Sequence, residues 1–157
     1  MMERDYTLEK LRDAKKAHAK WVRRAKHLVE NLPVCEEMIP LDSTECAFGC
    51  WLYSEGMKYK NNNITSPILE AIEETHHTLH DIYLRIYRIY FVESKAGFFQ
   101  RLLFTKTHNA ISTQKQVEAL KYFEELKGIS DALVKQLDNF EIALRDLQVK
   151  ETHAINY

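Results

Sequence analysis

Four side chains of the kinds that bind transition metals stand in three separate segments of the chain: His18, Cys46, and the pair His76 and His80. Three imidazoles and one thiolate make a complete tetrahedral ligand set for zinc. No segment is informative alone, because single cysteines and histidines four residues apart are common. Their joint occurrence predicts one zinc site assembled from distant parts of the chain.

The histidine pair also bears on whether zinc would be catalytic. Residues four apart on a helix share one face, so His76 and His80 can chelate a single ion. A zinc peptidase with such a pair carries a glutamate base between them, but here His77 follows His76. A closed four-ligand shell also leaves no position for a reactive water. We therefore predict that the protein is not an enzyme, with a zinc hydrolase as the less favoured alternative.

The composition of the chain indicates its number of domains, its kinds of partner and its cellular location. The chain has 157 residues, of which 45% are hydrophobic, which fits a single domain spanning residues 1–157. Lys and Arg total 22 and Asp and Glu 23, so the formal charge of −1 indicates neither a nucleic acid nor a membrane as partner. No secretion signal or membrane span is evident, and three cysteines do not indicate a disulfide framework. We expect a cytoplasmic protein.

Apolar residues recur at helical spacing along most of the chain, and Gly and Pro are scarce, which predicts an all-α fold. Strand-like alternation is not convincing anywhere. The first predicted helix runs from near Asp5 or Thr7 to Asn31, and the second from a capping-box-like start at Asp42–Glu45 to near Gly56. The third begins at Ser66-Pro67 and continues through the histidine pair. The last runs from Thr113 to Val149, and Phe98–Phe104 is also helical in character.

Placed on these helices, the candidate ligands converge. His18 falls in the apolar row of the first helix, and His76 and His80 fall in that of the third. Cys46 is expected in the first turn of the second helix, where the helix dipole favours a thiolate. Burying these polar groups without partners would be costly, and one zinc ion satisfies all of them.

The segments His18-x-x-Trp21, Cys46-x-Phe48-Gly49-x-Trp51-Leu52 and His76-x-x-x-His80 together resemble the chemoreceptor zinc-binding (CZB) domain family. The resemblance covers about Thr7 to His80 in its motifs. It implies a zinc ion held by His18, Cys46, His76 and His80. It also implies that Trp21, Phe48 and Trp51 pack around the site and that Gly49 allows a close helix approach.

In this family the domain is usually attached to bacterial chemoreceptors or diguanylate cyclases and senses zinc or oxidants. For this chain we expect a stand-alone domain: an antiparallel four-helix bundle with an additional short helix and zinc bound between helices. We predict a zinc-binding sensory or regulatory module in chemotaxis or cyclic-di-GMP signalling, homodimeric and with a signalling protein as partner. The alternative is an interaction scaffold in which zinc is purely structural.

Cys50 follows Cys46 by one turn and has two interpretations. The simpler one is a buried small apolar residue. The other is a redox partner that condenses with an oxidised Cys46 to form a disulfide. The remaining histidines lie off the ligand rows or in poorly defined segments and are expected at the surface: His27, His77, His108 and His153.

Overall fold

The computed structural model describes the backbone of residues 2–34, 39–93 and 111–155, and the side chains of residues 5–34, 39–93 and 111–147. Within these ranges the chain is all-α, as predicted, and has no strand. The predicted helical stretch Phe98–Phe104 lies outside them. The helices are α1 (Met2–Val29), α2 (Ala47–Ser54), α3 (Ser66–Tyr87) and α4 (Thr113–Ile155), with a short 3-10 helix at Gly56–Tyr59 and a π-helical continuation of α3 at Arg88–Glu93.

Contacts at the middle and at the end of α1 show how it lies against α4. At the middle of α1, the Lys15 ammonium lies 2.8 Å from the Asp138 carboxylate. At its end, the side-chain amide of Gln116 donates to the Val29 carbonyl. Rising residue numbers in α1 thus meet falling numbers in α4, so the two helices are antiparallel.

Helices α3 and α4 are antiparallel as well. Arg85 lies 4.0 Å from the Glu125 carboxylate, and the Tyr90 hydroxyl, in the π-helical continuation, donates to Gln116. Because α4 is antiparallel to both α1 and α3, those two helices run in the same direction. At about 1.5 Å per residue, the 43 residues of α4 are long enough to span the 22 of α3 and the 28 of α1. The further detail of an antiparallel four-helix bundle stays a prediction.

The short helix α2 closes the core beside these long helices. Its apolar side chains Phe48, Trp51 and Leu52 are buried, and the Trp51 ring centroid lies 6.1 Å from that of Phe140 on α4. Burial of such side chains is the main stabilising contribution in a domain of this size. None of the helices in the described ranges is long and apolar enough to cross a membrane.

Helix α1 ends as the sequence predicts, close to Asn31. Asn31 has a φ of 56°, in the left-handed region that Asn tolerates better than most residues. The backbone N–H of Leu32 donates to the His27 carbonyl and that of Asn31 to the Leu28 carbonyl. This Schellman arrangement satisfies carbonyls at the helix end and turns the chain toward the site-bearing loop.

The predicted start of α2 is wrong by several residues. The Asp42 carboxylate accepts the backbone N–H and the hydroxyl of Thr44 in a local turn, and so does not cap a helix. The helix begins at Ala47, and Cys46 is its N-cap, with Sγ accepting the Gly49 backbone N–H at 3.1 Å. Cys46 is therefore placed by a cap rather than by a helical turn.

An ionic cluster ties α1 to α4 beside the apolar interface. The Lys15 ammonium lies 2.8 Å from both Asp138 and Glu141, and Arg145 lies 2.8 Å from Glu141. Hydrogen bonds from Lys15 and then Arg145 lower the pKa of Glu141 from 4.5 to about 2. Lys15 is thus half-buried and paired.

Replacing Lys15 with Met should lower the free energy of unfolding by about 1 kcal/mol at pH 7. Because the pKa of Glu141 is depressed in the folded state, the stabilisation is complete above about pH 4.5 and is lost as the pH falls toward 2. Urea unfolding at pH 7 and pH 3 should show a clearly smaller loss at the lower pH. Lys16→Met, which removes an exposed pair with Asp13, is the control; an equal loss for Lys15→Met at both pH values would contradict the assignment.

Candidate metal centre

Three candidate ligands meet between α2 and α3. The donor atoms of Cys46, His76 and His80 all lie within 4.8 Å of one another, and all three residues are buried. His76 and His80 leave the same face of α3 one turn apart, with ring centroids separated by 4.8 Å. Cys46 Sγ lies 3.3 Å from Nε2 of His76. The described residues therefore supply a thiol and two imidazoles at one point.

The backbone fixes the orientation of His80. Its Nδ1 lies 2.9 Å from the Leu41 carbonyl oxygen. A carbonyl only accepts, so Nδ1 carries the hydrogen and Nε2 keeps its lone pair. Metal-binding histidines commonly donate their second nitrogen to such a carbonyl. His80 thus has a ligand-ready tautomer before any metal arrives.

Cys46 is held at the start of α2 by backbone contacts on both sides. Its Sγ accepts the Gly49 N–H at 3.1 Å and lies 3.4 Å from the Ser43 carbonyl, to which the thiol donates. Burial raises the pKa of Cys46, while hydrogen bonds from the backbone N–H groups of Gly49 and Phe48 oppose that rise. The free group is a thiol, and its neighbouring N–H groups are already aimed at the thiolate that a metal requires.

The imidazoles are in the protonation state that metals require. Burial, followed by the neighbouring His80, lowers the pKa of His18 from 6.5 to about 4. Burial, with His80 and His18, lowers the pKa of His76 to about 3. Burial also lowers the pKa of His80, against the effect of its bond to Leu41. All three rings are neutral at pH 7, so their lone pairs are available.

An unsatisfied atom supports metal binding at this point. Nδ1 of His76 is buried and has no hydrogen-bond partner in the described part of the chain. Leaving a buried polar atom unpaired costs about 1–3 kcal/mol. A soft thiolate together with imidazole donors suits zinc better than a hard cation. The residues present therefore fit a zinc ion.

His18 lies near the group but does not belong to it. It lines the same cavity of about 490 Å³ as Cys46, His76 and His80. Its Nε2, however, lies 2.9 Å from the hydroxyl of Ser130 on α4. The structure thus brings three of the four predicted ligands together, and His18 as the fourth stays a prediction.

Aromatic rings surround the group where the motifs place them. The Phe48 ring centroid lies 4.6 Å from that of His76, and the Trp21 centroid lies 4.9 Å from that of His80. The Trp51 ring packs behind Phe48, tilted by 48°, with their centroids 5.5 Å apart. These rings keep bulk water from most of the group and so strengthen electrostatic interactions within it.

Gly49 permits the close approach predicted for it, although the neighbour is a loop. A Cβ atom at Gly49 would lie 1.8 Å from the Ser43 carbonyl oxygen and 3.2 Å from the Thr44 Cα. Both are backbone atoms that cannot swing aside. The loop before α2 therefore lies directly on the helix at a residue without a side chain.

A chain of polar contacts that was not predicted from the sequence holds this loop. His77 is exposed, as expected, but its Nδ1 lies 2.9 Å from the Ser43 hydroxyl and its Nε2 lies 3.1 Å from the Tyr53 hydroxyl. The contacts join α3, the loop and α2 behind the metal ligands. Two features of the sequence could have suggested these contacts: His77 directly follows His76, and Ser43 lies three residues before Cys46.

Cys50 differs from its simpler interpretation. It is exposed, with Sγ 3.5 Å from the Thr44 carbonyl, so its prediction as a buried apolar residue is wrong. Its helix is only eight residues long, and the apolar face is occupied by Phe48, Trp51 and Leu52. His27 is half-buried rather than exposed. The side chains of His108 and His153 lie outside the described residues.

Comparison with known proteins agrees with this geometry. Residues 18–87 match the family model of the chemoreceptor zinc-binding domain. This segment of the chain is therefore similar to a CZB domain. The match includes His18, Cys46, His76 and His80, and its cofactor is zinc. It ends before α4 begins. No curated protein and no solved structure matches the chain.

Replacing Gly49 with Ala should disrupt the metal site, because the new Cβ must displace the Ser43–Thr44 backbone. We expect a loss of about 2 kcal/mol or more in the free energy of unfolding and weaker zinc binding, measured by urea unfolding and by competition with a chromogenic chelator. Gly128→Ala is the matched control, since Gly128 is helical and its Cβ would have open space; it should stabilise α4 by up to about 1 kcal/mol. Comparable losses in the two variants would be inconsistent with this contact.

Removing the Ser43 hydroxyl should loosen the loop that carries Cys46 without touching a metal ligand. Ser43→Ala leaves His77 without its partner, and we expect a loss of about 1 kcal/mol in stability together with a severalfold weaker zinc affinity. Ser54→Ala, which removes an exposed hydroxyl bonded to the Cys50 carbonyl, should change the zinc affinity little. A normal affinity in Ser43→Ala would show that the loop is held by its other contacts alone.

Proposed function

We propose that the protein is a zinc-binding sensory or regulatory module with no catalysis of its own. Cys46, His76 and His80 hold the ion, and His18 completes a three-histidine, one-cysteine set. The observation that carries this proposal is the buried group of one thiol and two neutral imidazoles within 4.8 Å. The family match, which includes all four residues, supports the same set.

Zinc occupancy would act by joining separate elements. His76 and His80 lie on α3, Cys46 caps α2, and His18 lies on α1. When zinc binds, the Cys46 thiol releases its proton, the imidazoles contribute lone pairs, and the ion supplies the positive charge that the buried thiolate needs. Zinc loss would return the thiolate to a thiol and remove the bonds that join these elements, which loosens their packing. The signal would be a shift in the equilibrium between the zinc-bound packing and the looser packing without zinc.

The lining of the cavity supports a function without catalysis. A zinc hydrolase needs an open coordination position and a general base near it. Among the described residues that line the cavity, none is a carboxylate. Glu55, the acid at the C-terminal end of α2, pairs with Lys58. A metal-dependent hydrolytic activity would overturn this part of the proposal.

We further propose that oxidants act through Cys46. Peroxide or hypochlorite would oxidise the thiolate by two electrons to a sulfenic acid and be reduced to water or chloride, which removes the only anionic zinc ligand. The Cys50 thiol would then attack the sulfenic sulfur, so that a disulfide forms and water leaves. The exposure of Cys50 supports access to this thiol. Non-reducing mass spectrometry after mild oxidation, showing no link between the two cysteines, would remove this step.

The cellular setting that we propose is cytoplasmic, with the whole chain forming one domain that acts on a partner in chemotaxis or cyclic-di-GMP signalling. We propose a homodimer formed through α4. Support comes from large apolar side chains that α4 leaves exposed: Val117, Leu120, Val134 and Ile142. If zinc is purely structural and α4 is a scaffold, partner binding in a pull-down would be the same with and without chelator.

Replacing Cys46 with Ala should abolish stoichiometric zinc binding while leaving most of the helix content, because the large apolar core is retained. The measurements are metal analysis of the purified protein and far-UV circular dichroism. Cys50→Ala removes an exposed thiol outside the buried group and should retain zinc. A Cys46→Ala variant that keeps one zinc per chain would refute the proposed site.

A further inference from the structure

The contact between His18 and Ser130 joins a candidate zinc ligand to the last helix. His18 Nε2 lies 2.9 Å from the Ser130 hydroxyl, and the two residues are 112 positions apart in the chain. They are only 4% and 8% exposed. A buried hydrogen bond of this kind stabilises the structure because water cannot replace either partner. Ser130 lies outside the segment that matches the CZB family.

Ser130 differs from the carbonyl that orients His80. The Leu41 carbonyl binds Nδ1 of His80, which leaves Nε2 for the group of ligands. At His18 the nitrogen bonded to Ser130 is Nε2 itself. An imidazole nitrogen has one in-plane position, which holds a hydrogen bond or a metal bond but not both. While bonded to Ser130, His18 also stays outside the group formed by Cys46, His76 and His80.

We propose that Ser130 and zinc compete for His18, and that this competition carries metal occupancy to α4. The inference rests on the proposed function, in which His18 is the fourth ligand. In the metal-free state Ser130 is a positioning residue that holds His18 against α4. When His18 joins the zinc, the hydrogen bond breaks and the buried Ser130 hydroxyl loses its partner.

The position of Ser130 along α4 determines which part of the α1–α4 interface changes when His18 is released. On one side of it, Gln116 bonds to the end of α1, and on the other side Lys15 bonds to Asp138 and Glu141. Neither contact involves a metal ligand. Release of His18 therefore loosens the middle of the α1–α4 interface while both flanking contacts persist. The face of α4 with exposed apolar residues then has two states that depend on zinc.

Thermodynamic linkage predicts whether the loss of the Ser130 hydroxyl raises or lowers the zinc affinity. If zinc weakens the hold of α4 on His18, weakening that hold must strengthen zinc binding by the same factor. Ser130→Ala removes the hydroxyl and leaves the metal-free His18 without its buried partner. A hydrogen bond of ordinary strength corresponds to a zinc affinity that is about threefold to tenfold higher. A residue that merely supported the fold would not raise affinity.

The experiment compares zinc dissociation constants, measured by competition with a chelator, for the unsubstituted protein and four variants: Ser130→Ala, Asn139→Ala, His18→Ala and the double variant with both His18→Ala and Ser130→Ala. We expect Ser130→Ala to bind zinc more tightly than the unsubstituted protein. Asn139→Ala, which changes an exposed residue of the same helix, should leave the zinc affinity unchanged. Adding Ser130→Ala to His18→Ala should have no further effect on the affinity. Nitrogen-15 NMR of the His18 ring should show Nε2 hydrogen-bonded without zinc and altered on zinc addition. In Ser130→Ala without zinc, the hydrogen-bonded signal should be lost.

Two results would overturn the proposal without affecting the proposed function. Weaker zinc binding in Ser130→Ala would mean that Ser130 supports the zinc-bound His18 rather than competing for it. Unchanged affinity would mean that α4 is not coupled to the site through this contact. If the wild-type protein itself bound no zinc, the proposed function and this inference would both fail.

Discussion

The contact of the Ser43 backbone with Gly49 is the constraint on which the metal centre depends. It presses the loop before α2 onto the helix, so that Cys46 becomes the N-cap and its sulfur meets the N–H of Gly49. The same loop presents the Leu41 carbonyl to His80. One close approach therefore positions the thiol and orients an imidazole, and any side chain at Gly49 would move both.

The protein buries several polar groups at the point where its helices meet. Burial keeps the imidazoles neutral, which suits metal binding, and it keeps the thiol protonated, so that this proton must leave when a metal binds. A domain is stable by only about 5–15 kcal/mol, so a few unsatisfied groups are a large fraction of the total. In the proposed function, a site of this kind would make the packing of α1, α2 and α3 sensitive to zinc. Helix α4 lies against α1 and α3, and it meets the site at His18.

Much of the fold could be predicted from spacing alone. Apolar residues at helical intervals identified the helices, and Leu32-Pro33 marked the end of α1 because the residue before a proline disfavours the helical conformation. The structure adds that Asn31 ends the helix in the left-handed conformation. The start of α2 was misplaced because Asp42 fits a capping motif, and in the structure it caps only its own turn with Thr44. Local motifs of this type satisfy the backbone in more than one way, so the sequence does not choose between them.

The sequence by itself determined the ligand types and the shared face of His76 and His80, since helical periodicity sets that face. Cys50 shows the limit, because its exposure depends on which face of a two-turn helix the core occupies. The pairing of His18 with Ser130 and of His77 with Ser43 was decided only by the tertiary structure. These partners come from separate segments, and local spacing carries no information about how distant helices dock or how far one turns about its axis.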